Sequence, residues 1–98
     1  MIVEQRIYTL VTGGIPEYVR QYNEIGRAVQ VEILGQPLGF YQTEFGALNE
    51  LMFLWGFDSL EERTRRRQQL MADERFKRFR DATRHLLVRQ DNRLLKPL

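Results

Sequence analysis

The chain has 98 residues, 43% of them hydrophobic and 29% charged, and no cysteine. One core fits this length, because separate cores are not expected below roughly 150 residues, and the composition excludes a disulfide framework, a thiolate metal site and a thiol nucleophile. Charge is uneven, −4 over residues 1–59 and +6 over residues 60–98, but acids are interspersed among the C-terminal arginines, as on solvated helices rather than on a nucleic-acid-binding stripe.

Met1 leads directly into strand-like sequence, with no basic stretch ahead of an apolar core, which argues for the cytoplasm. No apolar run approaches the ~20 residues of a membrane helix. "IVEQRIYTLV", Ile2 to Val11, is rich in β-branched and aromatic residues and predicts a strand, closed by Thr12, Gly13 and Gly14. Pro16 suits a first helical position and Glu17 the positive helix start. Apolar residues then recur at Tyr18, Tyr22, Ile25, Val29 and Ile33, one stripe of an amphipathic helix that Gly35 and Pro37 terminate. "GFYQTEFG" (39–46) predicts a second strand, and Ala47, Leu48 and Asn49 turn it back into a third, "ELMFLWGF" (50–57). Ser59 to Glu62 form a capping box ahead of a helix running to Ala72. Asp73 caps its continuation, whose buried stripe is Phe76, Phe79, Thr83, Leu86 and Leu87. A last strand covers Val88–Leu95.

The order β-α-β-β-α-β predicts an α+β, ferredoxin-like domain over residues 1–98. Four antiparallel strands form one sheet with the helices on one face, because both crossovers are right-handed. The third strand is unusual, being apolar from Leu51 to Phe57. Alternation sets Leu51, Phe53, Trp55 and Phe57 on one side and Met52, Leu54 and Gly56 on the other. Helices cover one side only, so a second copy is expected over the other, making a homodimer. The aromatic set is expected to face that partner, with the smaller set beneath the helices.

The segments "EQRIYTL" (4–10), "GGIPEYVRQYNE" (13–24), "YQTEFGALNELMFLWGFDSLEERTRRR" (41–67), "DERF" (73–76) and "QDNRLL" (90–95) resemble the NIPSNAP family of the dimeric α+β barrel superfamily. The resemblance covers essentially the whole chain. It implies two ferredoxin-like units closing a barrel around an internal cavity. Phe53 stands where the family often carries His, so no acid–base role transfers to that position. Glu4, Arg6, Tyr8 and Glu44 are family-like positions.

Glu4, Arg6 and Tyr8 alternate on the first strand and so share a face. There an Arg would hold a carboxylate or enolate while Glu4 or Tyr8 moves a proton; the plainer alternative is an ion pair satisfied across the dimer interface. Phe53, Trp55 and Phe57 offer an aromatic wall for a planar ligand, or packing in a dimer core. Glu44 alternates with Phe40 and Gln42, opposite Tyr41, Thr43 and Phe45, and either set can face the barrel. The single histidine, His85, has no cluster of ligands around it, and neither a metal nor another cofactor is expected. "RTRRR" (63–67) reads as a solvated helix face, and Gly13-Gly14 lacks the Walker and dinucleotide patterns. Asp91, Asn92 and Arg93 belong to the edge or end of the last strand. The expected function is binding of a small aromatic or carbonyl-bearing molecule, and the resemblance to the superfamily implies cofactor-independent oxygenation, isomerisation or cyclisation. No nucleic acid or membrane is expected as partner. The rival, which the family resemblance implies, is a non-enzymatic interaction or adaptor module.

Overall fold

A computed structural model describes residues 1–98. Strand β1 (Ile2–Leu10) leads through Gly13-Gly14 into helix α1 (Ile15–Gln21), a π-helical turn (Tyr22–Gly26) and helix α2 (Arg27–Leu34). Strands β2 (Pro37–Gln42) and β3 (Glu50–Phe57) follow, then helices α3 (Leu60–Ala72) and α4 (Glu74–Thr83), a 3-10 turn (Arg84–Leu86) and strand β4 (Leu87–Leu95). The sheet order is β2-β3-β1-β4 with every neighbouring pair antiparallel, the ferredoxin-like arrangement the sequence predicts.

The strands tell which side the helices take. Leu51, Phe53, Trp55 and Phe57 are buried, whereas Met52, Leu54 and Gly56 are only half-buried. On β1, Glu4 pairs with Trp55, Arg6 with Phe53 and Tyr8 with Leu51, so these residues share the aromatic side. That side lies beneath the helices of the same chain, where Phe53 meets Tyr22 and Tyr22 meets Phe79. The expectation that the aromatic set faces a partner is therefore corrected. Both sides of β3 are apolar, and bulk decides: helix-borne Tyr18, Tyr22 and Phe79 leave space that large rings fill to native density, while Gly56 and its neighbours remain on the open side. The Cα envelope, 36 × 33 × 18 Å, is that of two layers, a sheet with one face covered.

Local sequence explains the helix boundaries. Gly35 closes α2 at φ 93°, a conformation that favours glycine, and donates its N–H to Val31. Ser59 Oγ accepts from Glu62 N at 3.1 Å, but the Glu62 carboxylate reaches back to Asp58 N at 3.0 Å rather than to Ser59. Asp73 breaks α3 from α4 with extended backbone and accepts from Arg75 N at 2.8 Å. A Cβ at Gly26 would lie 2.8 Å from the Phe79 ring, so its hydrogen side chain sets how closely the first helical segment meets α4.

Strand β2 is shorter than predicted. It ends at Gln42, and residues 43–49 form a loop in which Asn49 takes a left-handed turn at φ 63°. Glu44 consequently faces neither side of the sheet but lies exposed in that loop, with Phe45 91% and Leu48 68% exposed beside it.

Candidate functional site

Alternation along β1 projects Glu4, Arg6 and Tyr8 into the layer between sheet and helices. Glu4 is fully buried. Its Oε2 accepts from Arg6 Nη1 at 3.4 Å, Asn92 Nδ2 at 3.0 Å, Arg63 Nε at 3.2 Å and, more closely still, Arg63 Nη2. Burial raises the affinity of this carboxyl for a proton, yet the Arg63 hydrogen bonds, Arg6 and Asn92 together outweigh it and hold its pKa below the ordinary value. Glu4 is thus a fixed anion that positions two guanidinium groups. Its Oε1 has no partner, nor has Nε1 of Trp55, its neighbour across the strand pair.

Arg6 also donates from Nε to Tyr8 Oη at 2.8 Å. Burial opposes its charge, but Tyr8 and Glu4 prevail and its pKa is raised. The phenol oxygen therefore accepts from a cation, and its own proton is left to point elsewhere. Arg6 and Tyr8 line a cavity of about 240 Å³ that α3 and α4 close with Arg67, Met71, Phe76, Phe79, Arg80 and Thr83. Tyr18 forms its wall from α1, with a pKa driven up by burial. On the other side of Tyr18 a second cavity, about 210 Å³, is bounded by Tyr22, Phe40, Phe53 and Arg27. The Arg27 guanidinium lies 5.2 Å from the Phe40 ring centroid.

Of the residues singled out from sequence, the fold brings Arg6 and Tyr8 to the first cavity and Phe53 to the second. Glu4 stands behind Arg6. Trp55 and Phe57 line neither; Trp55 is 0% exposed and packs edge-on against Phe40 at 5.5 Å. His85 is exposed on the 3-10 turn, and no cluster of three His, Cys, Asp or Glu side chains is present. Asn92 lies on β4, an edge strand, as expected, and gains a role in holding Glu4.

The reading of "RTRRR" as a solvated face is half corrected. Arg65 is exposed and Arg66 pairs with Glu62 at 2.8 Å, but Arg63 and Arg67 turn inward. Their signal was spacing: residues 63, 67 and 70 fall on one helical face, and Leu70 is fully buried. Burial, aided by the neighbouring Arg6, lowers the pKa of Arg67.

The NIPSNAP family model matches residues 3–98. Among solved structures, an uncharacterised NIPSNAP-like domain protein from Burkholderia xenovorans is 38% identical, with a TM-score of 0.95 over 99% of this chain and 84% of that one. A NIPSNAP family protein of unknown function from Agrobacterium tumefaciens is 37% identical, with a TM-score of 0.96 over 99% of this chain and 87% of that one. An antibiotic biosynthesis monooxygenase, 14% identical, is similar in fold alone, with a TM-score of 0.66 over 100% of this chain and 99% of that one. No curated protein matches the chain. Agreement of the family model along almost the entire sequence with relatives that superimpose on every element carries one conclusion: the chain belongs to the NIPSNAP family.

Proposed function

We propose that the protein binds a small, aromatic or carbonyl-bearing molecule in the cavity between its sheet and its helices, within each chain rather than between two sheets. The observation that carries this reading is the polar end of that cavity, where Arg6 donates to Tyr8 at 2.8 Å against walls of Tyr18, Phe76 and Phe79. A phenol so held can pass a proton to a bound carbonyl while Arg6 steadies the developing charge. Isomerisation, cyclisation or oxygenation without a cofactor is the chemistry this pair supports, in the cytoplasm.

Two copies of the chain meet through the open sheet face in this reading. Val3, Ile7, Met52 and Leu54 lie there half-buried, with Leu38 and Tyr41 exposed beside them. A two-fold pairing covers the same apolar patch on both chains at once. The adaptor alternative draws on one feature, the exposed Phe45 and Leu48 of the 43–49 loop.

The test is thermal denaturation of the purified protein against a library of planar aromatic and carbonyl compounds, with native mass spectrometry for molecules retained through purification. A stabilising hit that Tyr8→Phe and Arg6→Gln weaken supports the cavity. Absence of any stabilising compound, with a protein partner captured through Phe45 and Leu48, favours the adaptor.

A further inference from the structure

The first cavity has a charge composition that its own fold does not neutralise. Four arginines line it, Arg6, Arg67, Arg80 and Arg84, and no acidic residue does. Two of the four have carboxylate partners outside it: Arg6 reaches Glu4 at 3.4 Å and Arg84 reaches Asp81 at 3.5 Å. Arg67 and Arg80 form no salt bridge. The Arg67 side chain makes no hydrogen bond, and its Nη1 is sealed from solvent. Arg80 donates only from Nη2 to the Met71 carbonyl at 3.2 Å, and its Nε is likewise sealed without an acceptor. Glu4 favours the charge on Arg67 from a distance but bonds to neither arginine, its hydrogen bonds going to Arg63, Arg6 and Asn92.

Buried guanidinium groups are ordinarily paired, because stripping water from a charged donor without supplying an acceptor is unfavourable. Arg67 and Arg80 are each half-buried with one sealed nitrogen unpaired, Arg80 having only the Phe76 ring at 5.8 Å and the Met71 carbonyl. Together with Arg6 they leave the cavity with unbalanced positive charge. An anion placed between them supplies the missing charge and offers acceptors to the guanidinium nitrogens that line the cavity.

Resting on the small-molecule reading above, we propose that the ligand is an anion, a carboxylate carried on a flat apolar body. Arg67 and Arg80 take the carboxylate, and Tyr18, Phe76 and Phe79 hold the body. A planar carboxylate matches the guanidinium fork better than a point anion does. The carboxylate end then lies by α3 and α4, and Tyr8 and Arg6 meet the far side of the ligand.

Calorimetric titration of the full chain with 2-naphthoate and with its uncharged counterpart 2-naphthamide tests this. Naphthoate is expected to bind at least about tenfold more tightly, the order of effect of one charge-assisted hydrogen bond. Arg67→Met should remove that preference and leave naphthamide binding unchanged, while Arg67→Lys keeps part of it and Arg65→Met, on the exposed side of α3, keeps it all. Ligand-free Arg67→Met should also melt higher than the parent, which a merely structural arginine would not allow. Equal binding of the two probes, or a preference that survives Arg67→Met, overturns the anion assignment and leaves the cavity reading standing. If neither probe binds at millimolar concentration, both fall.

Discussion

Replacing Trp55 by Ala separates the two faces of the sheet. The indole is fully buried and stacks edge-on with Phe40. Cutting it to a methyl group returns roughly 150–200 Å² of apolar surface, worth about 4–5 kcal/mol at ~25 cal/mol per Å². Its Nε1 is buried without an acceptor, so removing it relieves about 1–2 kcal/mol. The net loss is then about 3 kcal/mol, at the lower end of Trp→Ala costs. For a domain of this size that lowers the midpoint of thermal unfolding by about 12–24 °C. Urea unfolding followed by far-UV circular dichroism reads it, since the variant has lost its only tryptophan fluorophore. At temperatures below its melting point the variant should assemble as the parent does. A loss under about 1 kcal/mol, or a variant equally stable but altered in assembly, would place Trp55 on the outer face and refute the reasoning.

Leu54→Arg, on the open face, should do the reverse: light scattering should give the mass of one folded chain for the variant and of two for the parent, and an unchanged mass would remove the face-to-face pairing. Gly26→Ala should destabilise by about 1–2 kcal/mol despite alanine's higher helix propensity, because the new Cβ meets the Phe79 ring at 2.8 Å; a rise in melting temperature would contradict that close approach. Glu4 has a folded pKa below its ordinary 4.5, so its stabilisation is complete above about pH 5 and fades as pH falls through the lower folded value. The stability difference between parent and Glu4→Gln should therefore be flat from pH 5 to 7 and shrink below pH 4.5. A difference independent of pH across urea titrations would show that Glu4 is not the buried anion described.

Sequence alternation defines which residues share a face without saying which face looks inward. Strand β1 resolves this once its pattern is taken at its word. Glu4, Arg6 and Tyr8 alternate with Val3, Gln5, Ile7 and Thr9, and it is the charged set that lies inside. Charge on the covered face, with Val3 and Ile7 on the open one, is what an internal site requires. The element order and the two caps at Ser59 and Asp73 were legible because local chemistry sets them. The inward turn of Arg67 was not, since within "RTRRR" only its helical phase relative to Leu70 distinguishes it. Glu44 escaped because Gly46 and Asn49, two positive-φ positions, release the chain from the sheet earlier than its aromatic pattern suggests.

The π-helical turn at Tyr22–Gly26 has a consequence for how this chain can change length. Such a turn accommodates one residue more than regular α-helical hydrogen bonding uses. Loss of Glu24, which is exposed and bonded only to Arg20, lets the turn tighten to α-helix while Tyr18 on one side and Val29 and Ile33 on the other keep their facing. The same loss within Arg27–Leu34 has no slack to absorb it and swings every later side chain by about 100°. Single-residue deletions should thus be survivable in one turn of this helix and ruinous in the next, a genetic signature written by a hydrogen-bond pattern.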